Sequence, residues 1–235
     1  MAKPGRGQNA MDYIAENKAF YDQFYESINP KQIAEKVRHR DAFLSGAMSP
    51  SWEGLYWGGF RRYLKGAIVL EIGAGNGLNS LIMAALGAEF VVAVDITDHT
   101  KRIVTQAAKR LMLSKKLAVW IGDFAEMNIE PASFDFVVGK SILRHLPSKV
   151  EEDYLYKAGV LLKPTGEMRF SEPTPAKLVS EIDNLYPPRD ASPAHYRVLC
   201  SHYFEQVQLI PIRRMQQIKA QVIIARDSLV TPGIF

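Results

Sequence analysis

The sequence predicts an α/β chain built on a doubly wound, Rossmann-like sheet of seven strands, mostly parallel with an antiparallel last strand, and preceded by a helical cap. Three observations carry that expectation. Strand and helix signals alternate from about residue 66 to residue 226. The first strand signal runs straight into a glycine turn, Gly73-Ala74-Gly75-Asn76-Gly77. The second ends on an acid, Asp95, at the sheet edge where folds of this class bind ligands.

Residues 1–9 contain Pro4, Gly5 and Gly7 and are expected to be a disordered tail. Met11, Ile14, Phe20, Phe24 and Ile28 then share the apolar side of one helix, with Tyr13, Tyr21 and Tyr25 beside them, until Asn29-Pro30 ends it. A second helix is expected over residues 32–44, broken by Gly46 and Pro50. An aromatic stretch with Trp52, Tyr56, Trp57 and Phe60 follows; it reads as a pocket wall or as packing of the cap onto the sheet. Residues 10–65 therefore form the expected N-terminal cap or lid, and 66–235 the core.

Within the core, Val69, Leu70 and Ile72 mark a buried strand, and Leu78, Leu81, Ile82, Ala85 and Leu86 a helix that stops at Gly87. Residues 90–94 are the second strand. A helix is expected to start at Asp98 and run to residue 113, with Ile103, Val104, Ala107 and Leu111 inward. Residues 117–121 and 134–138 are the third and fourth strands. A helix over 149–162 leads through the turn Lys163-Pro164-Thr165-Gly166 into a fifth strand, 167–171. Prolines 173, 175, 187, 188 and 193 then punctuate an insertion over 173–200 holding one short helix at about 176–185, on the ligand side of the sheet. Residues 204–210 and 217–225 close the chain as an antiparallel hairpin joined by Pro211 and a basic turn.

At 235 residues the chain is long enough for one full α/β core, and its net charge of +4 is spread along it. A nucleic-acid partner is not expected. The single cysteine, Cys200, excludes an internal disulfide and a thiolate zinc site and suggests a reducing, cytoplasmic setting. Glu89 interrupts the longest apolar run, so no membrane span is expected. No paired histidines and carboxylates announce a metal. Oligomeric state stays open.

A dinucleotide fingerprint needs a third glycine at position 78, where this chain has Leu78. Gly-x-Gly-x-Gly with Glu71 two residues before it instead resembles the first motif of class I S-adenosylmethionine-dependent methyltransferases. Three further segments resemble that family in order: Val94-Asp95, Gly122-Asp123-Phe124, and Phe134-Asp-Phe-Val-Val followed by Leu143-Arg-His-Leu-Pro. Together with Leu162-Lys-Pro-Thr-Gly, they are similar to its small-molecule branch, of methyltransferase type 11/25. The likeness covers roughly residues 66–226.

The resemblance implies S-adenosylmethionine as cofactor and assigns roles to residues of this chain. Gly73, Ala74 and Gly75 would lie against its methionine and ribose parts, with the helix starting near Asn76 turning its positive end to the carboxylate. Glu71 would order the turn or meet the amino group through water. Asp95 would take the ribose hydroxyls, Ile96 would pack on adenine, and Asp123 with the Phe124 amide would hold the adenine edge. Lys140 stands where a small residue is usual; its carbonyl would reach the amino group, its side chain the acceptor side. Phe20-Tyr21-Asp22 resembles the lid helix of related enzymes, making Tyr21, with Tyr25 one turn on, the expected lid contact.

The implied reaction is direct in-line methyl transfer to a small, partly apolar acceptor through oxygen, carbon or nitrogen. His145 is a candidate general base or a structural hydrogen-bonding residue. Tyr21 is a second candidate catalytic residue, and Trp52, Trp57, Glu172 and Tyr186 are candidate acceptor contacts, Glu172 being alternatively the base. Two other readings remain: an RNA or protein methyltransferase, and a non-catalytic scaffold of the same fold binding a partner protein. Against the first, the fourth strand ends Gly-Lys-Ser-Ile rather than in an Asn/Asp-Pro-Pro-aromatic grip for a flat amine. Against the second, the glycines and acids of the turn are intact.

Overall fold

The computed structural model describes residues 10–45, 49–173, 192–215 and 217–230. The expected tail, Gly46, the helix expected over 176–185 and Tyr186 lie outside the described residues.

Seven strands form one sheet: β1 (Ile68–Ile72), β2 (Phe90–Asp95), β3 (Leu117–Ile121), β4 (Phe134–Lys140), β5 (Leu162–Pro173), β6 (Phe204–Arg214) and β7 (Gln217–Ser228). Their order is β3-β2-β1-β4-β5-β7-β6. The first five strands pair in parallel, and β7 runs against both β5 and β6. The order reverses between β1 and β4. A crevice therefore opens at their carboxyl ends, where β1 delivers its glycine turn.

Alternate residues of each strand face opposite layers. Val69, Val91 and Val138 pack with Leu81 and Ile82 of α5 (Leu78–Ala85), Ile103 and Val104 of α6 (Asp98–Leu111), Ile33 and Val37 of α2 (Pro30–Arg38), and Leu55 of α4 (Pro50–Leu55). Leu70, Val92, Val137 and Phe170 face the other layer, with Tyr154 and Leu155 of α7 (Ser148–Leu161) and Leu199 of α8 (Pro193–Ser201). Cap residues thus share a core with the sheet. Leu55 and Phe60 are fully buried, each contributing roughly 1.5–3 kcal/mol of burial. Arg169 of β5 ties the same segment down: its guanidinium donates to the carbonyls of Leu55 (3.3 Å) and Trp57 (2.8 Å), lies 4.4 Å from the Phe60 ring centre and pairs with Glu167 at 2.6 Å.

The structure corrects five boundaries. The helix expected over 32–44 is two, α2 and α3 (Asp41–Leu44), because His39 leaves helical geometry at φ −98°, ψ 31°. Pro50 starts a helix rather than stopping one: it occupies the first turn of α4, where its missing N–H is harmless, after Ser49 caps that end. The cap of α6 is Thr97, whose Oγ1 accepts from the His99 amide at 3.0 Å, leaving Asp98 in the first turn where the helix dipole favours an acid. Strand β5 begins at Leu162, and its turn is a bulge: pairing with β4 passes from Phe134–Leu162 to Phe136–Glu167, so residues 163–166 loop out. Pro211 lies inside β6 opposite Gln221, on the edge strand, where a missing donor is tolerated. No helix among the described residues is long and apolar enough to cross a membrane.

Candidate active site

The glycine turn is built by backbone geometry that L side chains disfavour. Gly73, Gly75 and Gly77 have φ of 68°, 58° and 71°, and at Gly75 a Cβ would also fall 2.7 Å from the Tyr25 hydroxyl oxygen. Two acids brace the turn. Asp95, ending β2, accepts from the Gly75 amide at 2.6 Å through Oδ2 and from the Thr97 amide at 3.1 Å through Oδ1. The Gly75 carbonyl in turn accepts from Thr100 Oγ1 at 2.5 Å. Glu71, on β1, accepts from Asn79 Nδ2 at 2.8 Å and from Ser80 Oγ, and Tyr56 donates to Asn79 Oδ1 at 2.7 Å. These bonds anchor the amino end of α5 to the strand that feeds it.

Burial sets the acids' titration. It pushes Glu71 up to about 7 against the hydrogen bonds from Ser80 and Asn79, and Asp95 up to about 6 against its backbone donors.

Over the turn lies α1 (Ala10–Glu26). Tyr21 and Tyr25, one helical turn apart, stack with ring centres 5.7 Å apart and planes 16° from parallel. Burial, then the Asp95 charge, raises the Tyr25 phenol well above its usual range, so it stays a neutral hydroxyl. Arg102 of α6 pins the end of this helix, donating to the carbonyls of Tyr25 (3.2 Å), Glu26 (3.1 Å) and Ile28 (3.4 Å).

The far wall starts where β4 ends. Lys140 carries its Nζ to 5.3 Å from the Trp52 ring centre; burial lowers its pKa, while the charges of Glu71 and Glu172 raise it. Ser141, at φ 57°, turns the chain into a short 3-10 segment, Leu143–His145. Glu172 of β5 is fully buried and its Oε1 accepts from the amides of Ile142 (3.0 Å) and Leu143 (3.1 Å). It holds the loop that carries His145.

These elements enclose a cleft of about 450 Å³, within the range of small-molecule sites. Of the residues singled out from sequence, Tyr21, Tyr25, Trp52, Glu71, Gly73, Ala74, Gly75, Asn76, Asp95, Ile96, Phe124, Lys140 and His145 line it together. Three do not. Asp123 caps the turn behind the cleft, its Oδ1 accepting from the Ala125 amide and from the Tyr154 hydroxyl, each at 3.0 Å. Trp57 is on the surface, 44% exposed. Glu172 does not line the cleft; it holds the loop that carries His145, and its charge acts on Lys140.

Asn17, Lys36, Phe43, Asn79 and Ser141 also line the cleft and were not singled out. Only Asn17 carried a readable signal, a polar side chain one turn before Tyr21 that proves to be buried. Lys36 and Phe43 belong to cap helices whose placement against the sheet edge no local pattern encodes.

Residues 69–166 match the family described as Methyltransferase domain. A ubiquinone biosynthesis O-methyltransferase from Xanthomonas campestris pv. campestris is 33% identical over 114 residues, 46% of this chain and 44% of that protein. A protein-L-isoaspartate O-methyltransferase from Fervidobacterium nodosum is 32% identical over 100 residues, 42% of this chain and 49% of that one. The chain thus spans about half the length of the curated relatives it matches. Among solved structures, the 1,6-didemethyltoxoflavin-N1-methyltransferase of Burkholderia thailandensis, with 1,6-didemethyltoxoflavin and S-adenosylhomocysteine bound, superimposes with a TM-score of 0.67 at 20% identity, over 96% of this chain and 93% of that one. That likeness is one of fold.

Proposed function

We propose that this chain, whose residues 69–166 match a methyltransferase domain family, transfers the methyl group of S-adenosylmethionine to a small, partly apolar acceptor. The carrying observation is the pair of buried acids around the glycine turn: Asp95 keeps acceptor capacity beyond its bonds to Gly75 and Thr97, at the rim of the cleft. A hydroxyl-bearing ribose suits that carboxylate. A dinucleotide is disfavoured by Leu78, which stands where its fingerprint has a third glycine.

The residues fit the cofactor's other parts. The amino end of α5, whose Leu78 amide donates to Asn76 Oδ1, turns positive dipole charge toward the cleft, suited to a carboxylate. Gly122 and Phe124 bound a flat slot at the far end of the cleft beside Tyr154. When bound, S-adenosylmethionine supplies a methyl group already activated on a sulfonium. What is left to the chain is alignment in a dry space. Tyr21 and Tyr25 offer ring faces that favour a cationic centre and, being pinned through Arg102, exclude water above the turn. Trp52, Ile142 and His145 bound the room left for the acceptor, with His145 in place to receive a proton if the acceptor carries one.

The test is calorimetric titration of the full chain with S-adenosylmethionine and, in parallel, NAD, followed by mass analysis of a metabolite extract incubated with methyl-labelled cofactor. S-adenosylmethionine binding without NAD binding, and a labelled small product, is the expected result. A folded sample that binds neither overturns the reading in favour of a scaffold.

A further inference from the structure

The wall of the cleft around Trp52 carries two lysines. Lys140 and Lys36 both line it, beside the rings of Trp52 and Phe43, which meet edge to face with centres 5.6 Å apart. Lys36 is exposed on α2, at the mouth; Lys140 is half-buried, further in. Among the described residues the Lys140 ammonium makes no hydrogen bond or ion pair, and it lies over the Trp52 face. Glu71 and Glu172 favour the charged form of Lys140 through space, but neither reaches ion-pair distance of its ammonium. The Glu71 oxygens face Asn79 and Ser80, and Glu172 Oε1 faces the amides of Ile142 and Leu143. A partly desolvated ammonium with no direct hydrogen-bonding partner is costly, and a ligand that brings an anion into contact with it lowers that cost.

We propose that the methyl acceptor is a flat, largely apolar molecule bearing an acidic group, its apolar body laid on Trp52 and Phe43 and its acid met by Lys140, with Lys36 drawing it in at the mouth. This assignment rests on the methyl-transfer reading and adds to it the acceptor's chemical class. Lys140 is then a specificity residue, because a neutral analogue of the same shape leaves its ammonium unpaired.

The experiment uses the full chain saturated with S-adenosylhomocysteine and two fluorescent probes sharing one ring system, the anion 8-anilinonaphthalene-1-sulfonate and the neutral N-phenyl-1-naphthylamine. The wild type is expected to bind the anion at least about tenfold more tightly. Lys140→Met abolishes that preference with the neutral probe unchanged, and Lys140→Arg retains part of it. Equal affinity for the two probes, or a preference that survives in Lys140→Met, overturns the proposal. A second titration compares S-adenosylhomocysteine with 5′-methylthioadenosine, which lacks the carboxylate. If Lys140→Met weakens only the first, the lysine serves the cofactor's own carboxylate and the acceptor assignment is overturned. Failure of the wild type to bind S-adenosylhomocysteine sinks methyl transfer itself, a result distinct from probe indifference in a cofactor-loaded protein.

Discussion

The Tyr25 hydroxyl occupies the space that a side chain at Gly75 would need: a Cβ built there lies 2.7 Å from the phenol oxygen. Helix α1 and the glycine turn are therefore fitted to each other at one atom. Gly75→Ala meets this contact and, at φ 58°, backbone strain of about 1–2 kcal/mol. We expect a drop of roughly 10- to 100-fold in S-adenosylmethionine affinity by calorimetry, with the fold retained by circular dichroism. Adding Tyr25→Ala should restore part of the affinity lost through the clash, giving a measurable coupling in a double-mutant cycle. Strict additivity of the two changes would show that the contact carries no energy.

Asp95 predicts a pH dependence of binding. Its carboxyl is pushed up to about 6, burial being the largest cause. A ribose hydroxyl donates to the ionised form, so affinity should be constant above that pH and fall as the pH drops through about 6. Asp95→Asn removes the charge and turns one amide-accepting oxygen into a donor facing the Gly75 or Thr97 amide, at a cost of about 1.5–3 kcal/mol. Its affinity should be about 10- to 100-fold weaker at pH 8 and insensitive to pH between 5 and 8. A wild-type dissociation constant that stays flat across that range would remove Asp95 from ligand contact.

How much of this was readable in the sequence depends on whether the signal was local. The β1–turn–α5–β2 unit was legible because glycine spacing, strand hydrophobicity and the terminal acid all lie within 27 consecutive residues, Val69 to Asp95. The bulge in β5 was not, since Lys163-Pro-Thr-Gly reads as a free turn until Leu162 is seen paired with Phe134. The cleft was half legible. Residues on strand ends and the turn could be placed by topology, whereas Lys36, Phe43 and Asn79 reach it through helix packing angles that leave no period in the chain. Glu172 was read as a candidate acceptor contact because it ends a strand at the ligand edge; its side chain turns instead to the Ile142 and Leu143 amides.

Arg102 gives a way to loosen the lid without touching the cleft. It does not line the cleft, and its guanidinium bonds reach the carbonyls of Tyr25, Glu26 and Ile28. Arg102→Met keeps the aliphatic stem and loses these bonds. Stability should fall by about 1 kcal/mol, the scale of an exposed hydrogen-bonded tie. The KM for S-adenosylmethionine should rise several-fold, because Tyr21 and Tyr25 no longer sit permanently over the turn. If KM is unchanged while the melting temperature falls, α1 is a structural brace and its tyrosines are packing.

Glu172 makes the last prediction, a stability effect of defined sign. Its carboxyl is pushed from 4.5 to about 7, with burial first among the causes and the amides of Ile142 and Leu143 opposing it. Between those two values the folded chain holds a proton that the unfolded chain has released, so this contribution is complete below about 4.5 and lost as the pH rises through 7. Glu71, raised to about 7, and Asp95, raised to about 6, act in the same direction. Ligand-free protein should therefore lose stability from pH 5 to pH 8. In Glu172→Gln the amide oxygen keeps both backbone bonds, and its nitrogen replaces an Oε2 that meets no hydrogen-bond donor. That substitution costs about the same at every pH, whereas the titration is gone. Measured by urea denaturation, the variant should gain on the wild type by about 1–3 kcal/mol on going from pH 5 to pH 8. Parallel stability curves for the two proteins would mean that Glu172 is ionised throughout, and that the loop carrying His145 is held by a full negative charge.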